Sequence, residues 1–119
     1  MNIHIELHAA LVATESPHFS APPRLTQDAL ELFLADGTTM QVRYAARDAY
    51  SFRWQSAGLT GGIDTAPLHR HLSSWPNHLH LADGSAVADP LTRIDAEPLH
   101  NLLAVIGSLL AARPPIQPR

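Results

Sequence analysis

Residues 30–44 read Leu30-Glu31-Leu32-Phe33-Leu34-Ala35-Asp36-Gly37-Thr38-Thr39-Met40-Gln41-Val42-Arg43-Tyr44. Leu30, Leu32 and Leu34 alternate with Glu31 and Phe33, and Met40, Val42 and Tyr44 alternate with Gln41 and Arg43. A period of two is the signature of a strand with one face buried. Asp-Gly between two such runs signals a tight hairpin, because both central turn positions favour positive φ. The stretch therefore predicts an antiparallel pair, its first strand reaching back to Leu25.

The pattern extends outward in both directions. Tyr50-Ser51-Phe52-Arg53-Trp54-Gln55 puts its aromatics on one face, where core packing explains them better than base stacking, and Ser51, Arg53 and Gln55 on the other. Gly58, Gly61 and Gly62 mark a turn and a further strand running into Asp64. His78-Leu79-His80-Leu81 leads to a second turn signal, Ala82-Asp83-Gly84-Ser85. On the N-terminal side, Ser16 to Pro23 carries three prolines and reads as a connecting loop. Ile3 to Ala13 fits both periods, and its alanines favour a helix.

Ile94 to Ala112 reads as an amphipathic helix with Asp95 as N-cap and Pro98 in the first turn. Its apolar face comprises Leu99, Leu102, Leu103, Ile106, Leu109 and Leu110. The proline-rich tail, residues 113–119, cannot continue it. The expected class is α+β: an antiparallel meander of about four or five strands with a C-terminal helix on one face.

A chain of 119 residues with 45% hydrophobic content forms one domain, residues 1–119, with a modest core of its own. The absence of cysteine excludes disulfides, thiolate metal sites and a cysteine nucleophile, and fits a reducing compartment. The N-terminus lacks a basic n-region, and Leu102 to Ala112 is roughly half the length that spans a bilayer. A soluble cytoplasmic protein is expected, with no membrane partner. A net charge of −3 argues against wholesale wrapping of nucleic acid but leaves room for a small basic site. All eight basic residues are arginine, which suits phosphate recognition and is equally what a GC-rich codon bias produces.

Four of the eight histidines, His69, His71, His78 and His80, fall within twelve residues. Imidazole exchanges protons near neutrality and is the commonest metal ligand. If residues 78–80 are extended, His78 and His80 point to one face, able to act as an acid–base pair or to bind one metal ion. Asp64 is placed either to orient an imidazole or to cap a loop, and Arg53 to grip a phosphate with its fork of donors. Solvated loop histidines in a biased composition would give the same dipeptides. No Gly-rich phosphate loop, nucleophile elbow or carboxylate pair accompanies them.

The order Tyr50-Ser51-Phe52-Arg53-Trp54-Gln55, Asp64-Thr65-Ala66-Pro67-Leu68-His69 and Pro76-Asn77-His78-Leu79-His80 resembles the TumE family of small prokaryotic proteins. That resemblance covers about Tyr44 to Leu81 and implies the toxin half of a toxin–antitoxin pair. The family pattern is a Tyr-Ser-Phe/Tyr-His-Trp strand, an Asp-Asn-Ala-Pro-His-His turn and a Pro-His-His-x-His segment. This chain departs from it at Arg53, Thr65, Leu68 and Asn77, and keeps Asp64, Pro67, His69, His78 and His80.

Side-chain chemistry and the toxin resemblance together lead to an RNA-cleaving site. In it His78 and His80 are the acid–base pair, His69 a third member, Asp64 the orienting carboxylate and Arg53 the phosphate binder, with no metal or other cofactor required. Two alternatives stand beside this one. The first is a non-catalytic protein that pairs with a helix-turn-helix antitoxin. The second is a metal-binding or metal-dependent protein using the His-x-His pairs.

Overall fold

The computed structural model describes residues 2–14 and 16–111. An N-terminal helix α1 (Ile3–Ala13) precedes strands β1 (Phe19–Leu25), β2 (Leu30–Leu34), β3 (Thr39–Ala46), β4 (Ala49–Ser56), β5 (Leu59–Asp64), β6 (His78–His80) and β7 (Ala86–Val87). Helix α2 (Pro98–Leu110) closes the described chain. The seven strands pair antiparallel in sequence order, a simple meander. The α+β class and the C-terminal helix are as expected; the strand count is higher.

Two strands account for the difference. Phe19–Leu25 runs as an edge strand, so the expected loop at 16–23 shrinks to its first residues. Pro22 and Pro23 fall between Ala21 and Arg24, where the register with β2 shifts, and an edge tolerates residues without an N–H there. The run from Leu25 to Leu34 is broken at Thr26, whose N–H donates to Ala29 O at 2.9 Å. The other addition, β7, is only two residues long.

The Asp36-Gly37 connection differs in type from the expected two-residue turn. Leu34 N donates to Thr38 O at 2.8 Å and Gly37 N to Leu34 O at 3.0 Å, and Gly37 has φ +92 whereas Asp36 does not adopt positive φ. This is a three-residue hairpin loop with glycine at the left-handed position. The Asp36 carboxylate accepts from Thr38 N instead of bending its own backbone. Ala82-Asp83-Gly84 repeats the geometry, with Gly84 at φ +91 and Asp83 accepting from Ser85 N. The two-residue left-handed turn occurs elsewhere, at Ala57-Gly58 between β4 and β5.

One face of the sheet is apolar. Leu30, Leu32, Leu34, Met40, Val42, Tyr44, Tyr50, Phe52, Trp54, Ile63 and Leu79 form the core with Leu7 and Leu11 of α1 and Leu102, Val105, Ile106 and Leu109 of α2. Trp54 is opposite Gly61, and a Cβ there would meet the indole Nε1 at 2.4 Å. The glycine is what lets the ring lie flat across β5.

Helix α2 starts later than expected. Its N-cap is Glu97, whose carboxylate pairs with Arg47 and makes no cap bond, while the expected cap, Asp95, is engaged by the Arg93 guanidinium at 2.8 and 2.9 Å. Leu103 faces solvent and Val105 takes its place in the core. The expected end at Ala112 and the proline-rich tail lie outside the described residues.

Both helices pack on that apolar face, so residues of opposite phase line a second, polar face. Direct pairing gives its rows: Arg43, Ser51, Asp64 and His78 in one, and Glu31, Gln41, Arg53, Gly62 and His80 in the next.

Candidate functional site on the open sheet face

The site is built where β5 and β6 pair. Asp64 is the last residue of β5 and lies opposite His78, while Gly62 lies opposite His80. The i, i+2 spacing puts both imidazoles on the polar face, and Asp64 leans between them. Its Oδ1 is 3.0 Å from His78 Nε2 and its Oδ2 3.0 Å from His80 Nε2. Oδ1 also accepts from Ala66 N at 3.0 Å, so Asp64 shapes the turn as well as binding the rings. One carboxylate thus touches two rings and the turn.

The two histidines differ in access. The His78 side chain is 1% exposed and that of His80 43%. The segment after β5 folds back and stacks His69 edge-on against His78, with ring centroids 4.9 Å apart. His69 itself has φ +50, a left-handed conformation uncommon outside glycine. His71 stands 6.1 Å from His69, and His78 4.6 Å from His80, so four rings run in series. His78 Nδ1 lies 3.2 Å from Pro76 O, so both of its ring nitrogens face acceptors, a backbone carbonyl on one side and the Asp64 carboxylate on the other.

Arg53 lies two strands from His80 in the same row, about 10 Å away by inter-strand spacing. Gly62 between them contributes no side chain. Arg53, Asp64, His80 and Gly62 line an open groove of about 670 Å³, shared with Thr60 and with the ion pair of Arg24 and Glu31. That volume suits a nucleotide-sized ligand. Among the described residues no carboxylate pairs with Arg53, and its guanidinium is exposed.

The residues that hold this arrangement were invisible in the sequence. Asn77, just before β6, is buried, and its Nδ2 donates to the Tyr50 hydroxyl at 2.8 Å, to Thr92 Oγ1 at 3.1 Å and to Asp89 Oδ2 at 3.2 Å. The Tyr50 hydroxyl in turn donates to Thr92 Oγ1, which donates to Asp89. Burial pushes the Tyr50 hydroxyl pKa up, keeping it a donor. Ser74 Oγ donates to Asn77 O at 2.6 Å and accepts from Asp89 N at 2.8 Å. This network clamps the end of the 65–77 segment to β4 and to the 89–92 loop that precedes α2. Asn77, a departure from the family pattern, thus works as an anchor. Thr65, another departure, accepts from Tyr50 N at 3.0 Å and extends the β4–β5 pairing by one residue.

A family model described as toxin TumE matches residues 4–110. The chain belongs to the TumE family of toxins. Comparison with curated proteins and with solved structures found no match. TumE membership implies an antitoxin partner, and among the described residues no helix is long and apolar enough to cross a membrane. The matched span includes Arg53, Asp64, His69, His78 and His80.

Proposed function

We propose that this TumE-family toxin cleaves RNA in the cytoplasm, using Asp64, His80 and His69 on the open face of the sheet, and that a helix-turn-helix antitoxin neutralises it. The observation that carries the reading is the Asp64–His80 pair at the edge of a groove that also presents Arg53. With Asp64 Oδ2 accepting the His80 Nε2 proton, Nδ1 of a half-exposed ring is left as a base. It would take the ribose 2′-hydroxyl proton while the oxygen attacks phosphorus and forms a cyclic phosphate. The leaving 5′-oxygen needs a proton, and we assign its supply to His69, the half-buried ring packed against His78 beside the groove. His78, buried with both nitrogens engaged, moves from the acid–base pair to the support of Asp64. The Arg53 guanidinium, free of carboxylate partners among the described residues, stabilises charge building on the phosphoryl oxygens.

The test is production of the protein without its antitoxin, followed by growth and by mapping of cellular RNA ends. Wild type should arrest growth and leave cyclic-phosphate ends. His80→Ala should reduce cleavage about 10²–10⁴-fold with an unchanged melting curve. A folded His80→Ala protein that arrests growth fully would overturn the acid–base site. Arrest without new RNA ends would favour the non-catalytic reading. Co-purification with the product of an adjacent helix-turn-helix gene tests the partner.

A further inference from the structure

We propose that Asp64, His78 and His80 form a binding site for one divalent transition-metal ion of the zinc class. Three ligand atoms, a carboxylate oxygen and one ring nitrogen of each imidazole, lie within 4.8 Å of one another. Two contacts of that cluster are 3.0 Å long. Ligands about 2.1 Å from one ion and about 90–109° apart stand about 3.0–3.4 Å from each other, so a small rotation of the three side chains admits the ion.

The atoms around His78 favour a cation there. Its Nδ1 faces the Pro76 carbonyl and its Nε2 faces the Asp64 carboxylate, both acceptors, in a side chain only 1% exposed. A metal ion between Nε2 and Oδ1 would bind both atoms while the ring keeps its Nδ1 proton on the Pro76 carbonyl. A histidine whose Nδ1–H is held by a backbone carbonyl presents Nε2 in the orientation and basicity typical of metal ligands. Two imidazoles with one carboxylate suit zinc, cobalt or iron(II) over magnesium or calcium, which prefer oxygen donors. With three protein ligands, one or more positions stay open toward the groove.

Occupancy has a consequence that rests on the RNA-cleaving reading, although binding itself does not. A ring that ligates through Nε2 keeps its proton on Nδ1, so His80 cannot serve as the base. Zinc binding and metal-free cleavage therefore exclude one another.

The experiment uses the purified full chain stripped with chelator, titrated with zinc by calorimetry and with cobalt(II) by visible absorption. One equivalent of zinc should bind and raise the melting temperature, and cobalt should give ligand-field bands. His80→Ala, at a half-exposed position, and Asp64→Asn should each weaken binding at least about tenfold, while His18→Ala and His100→Ala leave it unchanged. No binding, or equal weakening by the His18 and His100 controls, would overturn the site. In parallel, zinc should slow RNA cleavage by wild type. Zinc that binds and accelerates cleavage would keep the site and overturn His80 as base. Zinc that binds to a protein with no cleavage under any condition would keep the site and overturn the RNA reading.

Discussion

The Oδ1 atom of Asp64 and the Nε2 atom of His78 are 3.0 Å apart across paired strands, with the carboxylate 25% and the imidazole 1% exposed. The pair thus belongs to the fold as much as to the site. Its other oxygen reaches His80, which the solvent can reach too. One carboxylate therefore supports a buried ring and an accessible ring at the same time, and the two should respond differently to substitution.

Asp64→Ala removes the acceptor for a buried donor and one turn bond, so it should cost about 2–4 kcal/mol. His80→Ala removes a half-exposed ring and should cost less than about 1 kcal/mol. Urea denaturation of both variants checks the contrast. Equal costs would mean that His78 finds another partner and that Asp64 is not the structural hub.

Gly61→Ala should be a disruptive small change in β5. Its Cβ would fall 2.4–2.9 Å from three atoms of the Trp54 indole, which is 4% exposed and has core on its other side. Overpacking of this kind costs about 1–3 kcal/mol. A shift in Trp54 fluorescence together with a lowered denaturation midpoint is the expected result. An unperturbed spectrum would show that the ring has room to move.

Acid should weaken the contact between α1 and β3. His4 Nε2 accepts the Tyr44 N–H at 2.9 Å, a role open only to the neutral ring. Burial lowers the His4 pKa from its ordinary 6.5; Asp28 opposes the shift and Arg43 adds to it. With the native pKa below the unfolded one, the unfolded state binds more protons, and stability falls as pH drops through about 6.5. Melting temperatures of wild type and His4→Gln should differ most above pH 7, and the difference should shrink as pH falls below about 6.5. A constant difference would remove His4 from the pH response.

Much of this architecture could be read directly from the chain, for reasons that are local. Strands β2 to β4 alternate residue by residue, β5 is marked by its glycines, and α2 carries its apolar stripe at helical spacing. Strand β1 was hidden because Pro22 and Pro23 signal a loop unless the strand is known to lie at an edge. At the site, the His78-Leu79-His80 spacing fixed a common face in advance. The placing of Asp64 between both rings depends on the β5–β6 register, and the burial of His78 on a return loop held by Asn77, Asp89 and Thr92. Those are long-range facts. The same holds for His4, whose partner is forty residues away.

His69 separates the demands of backbone and ring. Its φ of +50 is costly for any residue with a Cβ, by about 1 kcal/mol, and is held by the Leu72 N–H bond to its carbonyl and by the stacked His78 ring. His69→Gly and His69→Ala both delete the imidazole, but only glycine relieves the strain. The glycine variant should therefore be more stable than the alanine variant by about 1 kcal/mol, against the usual order for the two residues. Both should lose growth arrest to the same extent if the ring is the proton donor to the leaving oxygen. Thermal melts and growth assays on the two proteins check this together. Equal stability would show that the loop relaxes out of the left-handed region once the ring is gone. Full arrest with both variants would take His69 out of the chemistry and leave it as packing over His78.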